Sequence, residues 1–583
     1  MTKLFNDAHD FAAEALAEFA ALNSGRVTLV HGGVVRAQRA PGGQAAIVMG
    51  GGSGHFPAFA GWVGRGLGHG AACGRVFASP SEKEVLTVAR AADAGGGVLF
   101  LPINYAGDIL HFSAARDQLL SDGVDARMVA VTDDIASGSA AERHLRRGIA
   151  GSLLVVKMAG AAAENGLGLG EVERIATAAN EATRSFGVAF SGCTLPGSAG
   201  PLFEVPPGRM AVGLGIHGEP GISEAPLGTA NEVADVLVDG LFAERPPERG
   251  RSVAVLVNGL GATKYDELHV LSARVRARLA AEGMTAVAPL AGEYVTSLDM
   301  AGVSVSLAYL DDELQSLWLS PVHSPALVRG RLPARPAPSA ASTPAADRAA
   351  GAGPDSDDRA RGGQAAGFAP GSAASARAAA YVLRALETAA AAVTAEEARL
   401  GAIDAVAGDG DHGAGMVNGI RGALEAARDA VQRGAGAGTT LSAAGERWSD
   451  RAGGASGALW GSGLAAAGDV LGDTDEPQPA AVLAAVRAFA ESVTRRGGAA
   501  VGDKTMVDAI VPFAEEFSAG LARGLSLADA WRPAAAAASA AAERTADYAA
   551  SRGRSRTHGE RSVGVPDPGA VSFALIVSSV PAP

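Results

Sequence analysis

The stretch AAIVMGGGSGHFPAF (45–59) decides how the first half of the chain is read. Its opening six residues, AAIVMG, form a short apolar run with no polar interruption, and Gly50 to Gly54 then bend the chain and present His55. An apolar run of that length bounded by glycine reads as a strand buried on both faces. The loop beyond the carboxyl end of such a strand is the usual ligand site of an open α/β sheet. Similar runs recur at GVLFLPI (97–103), RMVAVT (127–132), SLLVVK (152–157) and SVAVLVNG (252–259), separated by helical stretches. The alternation predicts an α/β region with largely buried strands.

Outward from this region the pattern stops. Residues 330–375 read GRLPARPAPSAASTPAADRAAGAGPDSDDRARGGQAAGFAPGSAAS, with almost no large apolar side chain, which is the composition of a linker. Beyond it, Ala/Leu/Glu/Arg-rich stretches at 376–400, 414–434, 439–450, 478–496, 504–523 and 527–551 predict helices. Glycine-rich interruptions at 408–415, 452–463 and 497–502 are read as loops at helix ends. Three parts follow: an α/β domain over 1–329, a Pro/Ala/Gly-rich linker over 330–375 and an all-α domain over 376–583.

Bulk properties agree with a folded protein of more than one domain. The chain has 583 residues, of which 48% are hydrophobic and 19% charged, too apolar for a solvated disordered chain. A net charge of -13 excludes passive attraction to nucleic acid or to an anionic membrane. Two cysteines, Cys73 and Cys193, make no disulfide framework. The N-terminus MTKLFNDAHDFAAEALAEF carries acids where a signal peptide needs a basic patch and an apolar core. No run of about 18 apolar residues occurs, so no membrane span is expected, and a cytoplasmic location is the simplest reading.

Chemistry concentrates in a few loops. In LGAIDAVAGDGDHGAGM (400–416), Asp404, Asp409 and Asp411 bunch in a glycine-bent segment. A hard divalent cation bridging to phosphates would relieve their repulsion, whereas a solvated acidic turn is the structural alternative. GGASGALWGSG (453–463) offers small residues and backbone N–H groups around Ser456, and GDKTMVD (502–508) a glycine before a helix start. Either can equally be a cap or a tight helix crossing. GRSRTHGERSVGVPDPGAVS (553–572) places Arg554 and Arg561 beside a Gly/Pro turn, where arginine can neutralise phosphate charge. A Walker A pattern is absent.

In the first domain, NYAGD (104–108) follows the strand run 97–103 and sets Asp108 at a strand end, as a base or as a helix cap. GLGIHGEPG (213–221) holds His217 between glycines. Exposed in so open a loop, an imidazole can attack a small electrophile. A histidine merely filling a turn is the alternative.

The ordered series GDGDHG, GGASG, GDKTM, GERSVG and DPGA resembles the L-type nucleotide domain of dihydroxyacetone kinases over about 376–580, an antiparallel barrel of helices capped by these loops. By that resemblance Asp404, Asp409 and Asp411 would hold two Mg²⁺ ions. His412, Gly413, Ala455, Ser456, Gly502, Met506, Arg554, Asp567, Pro568 and Gly569 would surround ATP. The family usually reads GRASYLGERS where this chain has GRSRTHGERS. GGGSGH, VFASPS (76–81), NYAGD, VTDDIA (131–136) and GIHGEPG resemble the K-type ketone domain of the same family, built of two α/β subdomains.

The resemblance implies that His217 bonds covalently to a ketone in a substrate pocket with Gly52, Ser53, Gly54, His55 and Asp108. Asp108 would act as base, and His55 would orient or share the proton. Phe56 and Ile103 stand where the family typically has a glutamate and a lysine, and both are expected to reshape the pocket. The aromatic residue in HFPAF and the opening MTKLFND are similar to the erythrulose kinase branch. D-Erythrulose to D-erythrulose 4-phosphate is therefore the expected reaction, with dihydroxyacetone as alternative substrate and a ligand-sensing regulator without turnover as the alternative of another class; manganese-dependent FAD cyclisation, a side activity the resemblance also admits, is not the expected one. A homodimer is expected, with exchange of domains between chains left open.

Overall fold

The computed structural model describes residues 3–219, 221–246, 250–332, 370–408, 410–551 and 562–581. Helix α1 (Phe11–Leu22) precedes a sheet of β1 (Val27–Val30), β2 (Gly33–Arg36), β3 (Ala46–Ser53), β4 (Gly70–Val76), β5 (Val98–Pro102) and β6 (Ala126–Met128), joined by α2 (Glu82–Ala92) and α3 (Ala106–Ser121). Its order is β1-β2-β4-β3-β5-β6, and β4, β3, β5 and β6 run parallel. Parallel neighbours end on the same side, so the loop after β3, with His55, and the start of α3 after β5, with Asp108, emerge together.

After α4 (Ser152–Glu164) and α5 (Leu169–Ala182) comes a second sheet of β7 (Thr183–Ala189), β8 (Arg209–Val212), β9 (Ser223–Pro226), β10 (Ser252–Gly259), β11 (Thr285–Gly292) and β12 (Gly302–Leu310). Here the order is β11-β10-β12-β7-β8-β9, mostly antiparallel. Helices α6 (Ala230–Ala243), α7 (Tyr265–Ala281) and α8 (Asp312–Leu319) and the short hairpin β13 (Val322–His323) and β14 (Val328–Arg329) complete the region. Strand β10 shows how its sequence divides between two cores: Val253, Val255 and Val257 pack with α6 and α7, while Ala254 and Leu256 join the core around α4 and α5. That second core also takes Ile47, Met49 and Leu99 from the first sheet, so α4 and α5 form a middle layer shared by both sheets.

Two expectations are corrected here. SLLVVK (152–157) is not a strand but the start of α4, whose residues Ser152 to Ala163 are all buried. A run apolar on every side lacks the periodicity that separates a buried helix from a buried strand. Of the run 127–132, only Arg127 and Met128 lie in β6.

The C-terminal region is helical: α9 (Ala373–Ala395), α10 (Glu397–Ala407), α11 (His412–Gln432), α12 (Ala437–Ala452), α13 (Gly454–Leu471), α14 (Pro479–Gly497), α15 (Val507–Ala522), α16 (Leu527–Arg544) and α17 (Pro568–Ser579). Helix α9 starts within the stretch read as linker because Ser372 caps it, accepting from Ser375 N at 3.1 Å. The segment 453–463, expected as a loop, is the first half of α13. Its glycines serve helix crossing: a Cβ on Gly461 would stand 2.8 Å from the Gly445 carbonyl of α12. Stacked Trp448 and Trp460, with ring centroids 4.8 Å apart, fill the core beside that crossing. Among the described residues, no helix is long and apolar enough to cross a membrane.

Candidate active site

Two groups of residues carry the chemistry, one within the α/β region and one in a cavity lined from both the α/β region and the helices. In the first, the loop after β3 delivers His55 and the loop after β8 delivers His217, and their Nε2 atoms lie 2.9 Å apart. His55 Nδ1 is 2.7 Å from the Thr296 carbonyl, and His217 Nδ1 is 3.2 Å from Glu219 Oε1. Glu219 Oε2 also accepts from the His217 backbone N–H at 2.6 Å and lies 3.4 Å from Arg147. Burial alone would raise the Glu219 pKa, but the Arg147 charge and the His217 contacts outweigh it and hold the carboxyl well below its usual range.

Proton bookkeeping follows from these acceptors. A carbonyl and an ionised carboxylate only accept, so both Nδ1 atoms carry hydrogen. Two bare Nε2 lone pairs would repel at 2.9 Å. The pair therefore shares one further proton and carries a single positive charge, matched by Glu219.

His217 was expected to be exposed. It is 3% exposed, because Glu219 folds the loop inward and the ring is walled by Phe77, Tyr105 and His55 at centroid distances of 4.9 Å each. Phe77 also stacks on His55 at 5.0 Å. Asp108 is buried in the first turn of α3, three residues after Tyr105. Of the glycine bend, Gly52 has no room for a Cβ, which would meet the Phe77 backbone at 2.6 Å; Ser53 Oγ donates to the Gly74 carbonyl, and the Gly54 carbonyl accepts from Leu298 N at 2.9 Å. Phe56 is 59% exposed and packs edge-on against Phe19 of α1. Ile103 is buried, near Gly51 and Gly148. Sequence reading missed Glu219, Arg147, Tyr105 and Phe77 as site residues; Glu219, Tyr105 and Phe77 lie inside the motifs GIHGEPG, NYAGD and VFASPS, whereas Arg147 left no local signal.

The second group lines a cavity of about 780 Å³. Asp404 and Asp411 meet there, although Asp404 stands in α10 rather than in the glycine loop. Burial, then the Asp404 charge, pushes the Asp411 carboxyl up to about 8. Asp567, which caps α17 by accepting from Ala570 N at 2.7 Å, is pushed up to about 7 mainly by burial. Carboxylates forced together and away from water are a donor set that fits a hard divalent cation. Among the described residues no three His, Cys, Asp or Glu side chains form a metal cluster, and Asp409 lies outside them.

His412 Nε2 is 2.9 Å from Ser572 Oγ, its Nδ1 is 3.3 Å from Ser456 Oγ, and burial lowers its pKa. Gly413 sits at a crossing where a Cβ would meet the Glu397 carbonyl at 2.1 Å. Ala455, Met506, Pro568 and Gly569 also line the cavity. Gly502 does not line it; its N–H donates to Asp508 at 2.6 Å and so shapes the turn before α15. Lys504 donates to the carbonyls of Tyr548, Ser562 and Val565, at 3.0, 2.5 and 2.7 Å. Arg554 lies outside the described residues.

The cavity is closed from the α/β side. Gly454 N donates to the Ser79 carbonyl at 3.1 Å, His111 Nε2 is 2.8 Å from the Gly454 carbonyl, and Asp450 receives Ser81 Oγ and Lys83 Nζ, each at 3.2 Å. His111 lies one turn after Asp108 on α3, so one helix touches both groups.

Residues 17–326 match the Dak1 domain and residues 406–581 the DAK2 domain. The chain belongs to the dihydroxyacetone kinase family. It is 52% identical to L-erythrulose 1-kinase of Mycolicibacterium smegmatis, over 100% of this chain and 99% of that one. It is 49% identical to D-erythrulose kinase of the same organism, over 100% and 98%. The dihydroxyacetone kinase family is also reached through a solved structure, the C. freundii dihydroxyacetone kinase in complex with AMP-PNP and Mg²⁺, with a TM-score of 0.52, 30% identity and 99% of both chains covered.

Proposed function

We propose that this chain is an ATP-dependent kinase that phosphorylates a terminal hydroxyl of erythrulose, converting D-erythrulose to D-erythrulose 4-phosphate. The observation that carries the reading is the His55–His217 pair, whose geometry suits capture of a carbonyl. The ketose carbon bonds to His217 Nε2 as the C=O π pair moves to oxygen, which takes the proton the imidazole pair had shared. His217 is left as an imidazolium whose Nδ1–H faces the Glu219 carboxylate. Gly52, Ser53 and Gly54 bound the pocket. Asp108 accepts the proton of the hydroxyl that is phosphorylated.

Asp404, Asp409 and Asp411 would hold two Mg²⁺ ions, which supply charge neutralisation to the transferring phosphate. His412, Gly413, Ala455, Ser456, Gly502, Met506, Arg554, Asp567, Pro568 and Gly569 surround ATP, with Gly502 acting through the turn it shapes. Support comes from the buried carboxylates, the two-sided cavity and the relatives' names. In this reading 1–329 is the ketone domain, 330–375 the linker and 376–583 the ATP domain, a barrel of helices; the protein is cytoplasmic and homodimeric.

A second reading, L-erythrulose phosphorylated at C1, is favoured by the relative of that name at 52% identity. Steady-state turnover of D-erythrulose, L-erythrulose and dihydroxyacetone, with NMR assignment of the phosphorylated carbon, separates these readings. Preference for dihydroxyacetone would sink both erythrulose assignments. ATP turnover indifferent to every short ketose would revive the regulatory alternative, which the DAK2 match disfavours.

A further inference from the structure

Arg75 stands near the end of β4, in the α/β region, yet lines the cavity that holds Asp404, Asp411 and Asp567. The only other described lysine or arginine lining that cavity is Lys504, whose ammonium is already committed to three carbonyls. Arg75 is differently placed. Among the described residues its guanidinium makes no hydrogen bond or ion pair, and the charges acting on it are the more distant Arg451, Glu84 and Asp10. Burial, the largest influence, works against its charged form. A guanidinium nevertheless stays protonated, so the protein keeps a partly buried cation, facing the cavity, without a close counter-charge.

Its position is held by the closure of the two regions. Gly74, just before it, has a backbone that would put a Cβ 2.1 Å from the Ala78 carbonyl, so segment 74–79 is a tight bend. Gly454 N donates to Ser79 at the end of that bend, and a Cβ on Gly453 would stand 2.8 Å from the Ser79 carbonyl. The bend that carries Arg75 therefore abuts the start of α13 directly.

We propose that Arg75 is a phosphate-binding residue: the ketone domain contributes its guanidinium to the phosphates of the nucleotide held by the helical domain. This rests on the kinase reading above. A planar fork of N–H donors matches phosphate oxygens, and a polyphosphate would supply the missing counter-charge. Binding of the nucleotide and docking of the two domains are then mutually reinforcing, since the cation reaches the phosphates only from the docked position.

The test uses the full chain without ketose, so that nothing turns over. Calorimetric titration compares AMP-PNP with AMP, in the presence of Mg²⁺, on the parent, R75M and R75K. The expected result is that R75M weakens AMP-PNP by about 10- to 50-fold and AMP by less than about 2-fold, with R75K between parent and R75M. An R75M protein with unchanged melting temperature and AMP-PNP affinity within about 2-fold of the parent overturns the proposal. Should R75M fail to fold, the parent itself decides: phenylglyoxal modification of Arg75, followed by peptide mass spectrometry, is slowed by AMP-PNP and not by AMP if the residue binds phosphate. Equal modification rates overturn it. A parent that binds no AMP-PNP at all would instead sink the kinase reading.

Discussion

The Nε2 atoms of His55 and His217 lie 2.9 Å apart, and each ring's second nitrogen is already committed, one to the Thr296 carbonyl and the other to Glu219. A carbonyl compound bonded to His217 has to take the place of that contact. Glu219 thus acts through His217, holding its tautomer and balancing the charge left on it.

Glu219→Gln should preserve the shape of the loop while removing that balance. We expect ketose KM to rise and kcat/KM to fall by about 10²-fold, with ATP KM unchanged. His217→Ala should abolish ketose capture and leave nucleotide binding intact. Electron density at His217 Nε2 in crystals soaked with erythrulose, parent against Glu219→Gln, checks the first, and ketose binding by His217→Ala checks the second; undiminished capture in Glu219→Gln would remove the balancing role of Glu219, and undiminished ketose affinity in His217→Ala would refute the covalent role.

Asp411→Asn addresses the carboxylate pair. With burial and Asp404 pushing the Asp411 carboxyl up to about 8, the metal-free fold at neutral pH has to hold it mostly protonated, a cost that an amide does not carry. In EDTA the variant should melt a few degrees higher, corresponding to about 1 kcal/mol. Added Mg²⁺ should no longer raise its melting temperature, and Mg·ATP binding should weaken at least about 10-fold. A Mg²⁺ response equal to that of the parent would remove Asp411 from the metal site.

Gly107→Ala tests the meeting of the two regions. Its Cβ would stand 2.6 Å from Ser79 Oγ and 3.0 Å from Ala455 N, so the interface has to part to admit it. The expected outcome is a drop in kcat of about 10²-fold, the scale of a roughly 1 Å misplacement of reacting groups. Far-UV circular dichroism should stay unchanged and the small-angle scattering radius should grow. A variant with parental kcat would show that this closure is not the reacting arrangement.

Acid should loosen the same interface through His111. Burial lowers its pKa from 6.5 to about 4, with the Gly454 carbonyl and Asp450 acting in the opposite sense and Arg496 in the same one. A lowered value means the separated state binds more protons. Docking is therefore unaffected above pH 6.5 and weakens as pH falls from 6.5 toward 4, by at most about 1.4 kcal/mol per pH unit. Scattering measured across that window should show expansion, and His111→Asn should flatten this part of the pH response.

The strand runs at 45–50 and 252–259 were legible because each is short, apolar and stopped by glycine, and they became β3 and β10. SLLVVK has the same composition and became α4, since a helix enclosed on every side has no polar face to reveal its period. In the C-terminal half, helix periodicity was plain, but the glycines of 453–463 looked like a loop; their use in close helix crossing depends on Gly445, which only the fold brings near. His55, Asp108, His217, Asp404, Asp411 and His412 all stand in segments that were conspicuous as glycine-rich motifs. Arg147, Phe77 and Arg75 reach their sites from distant strands and loops, so their relation to His217 or to Asp404 is a property of the tertiary arrangement.

Because α4 and α5 are packed on both sides, the two sheets share one apolar layer and resist hinging against each other. Prying them apart would wet that layer at about 25 cal/mol for every Å² exposed. Whatever movement admits a ketose to His217 has to leave that shared layer dry, so the first half of the chain behaves as one block in which only side chains and short connections are cheap to displace.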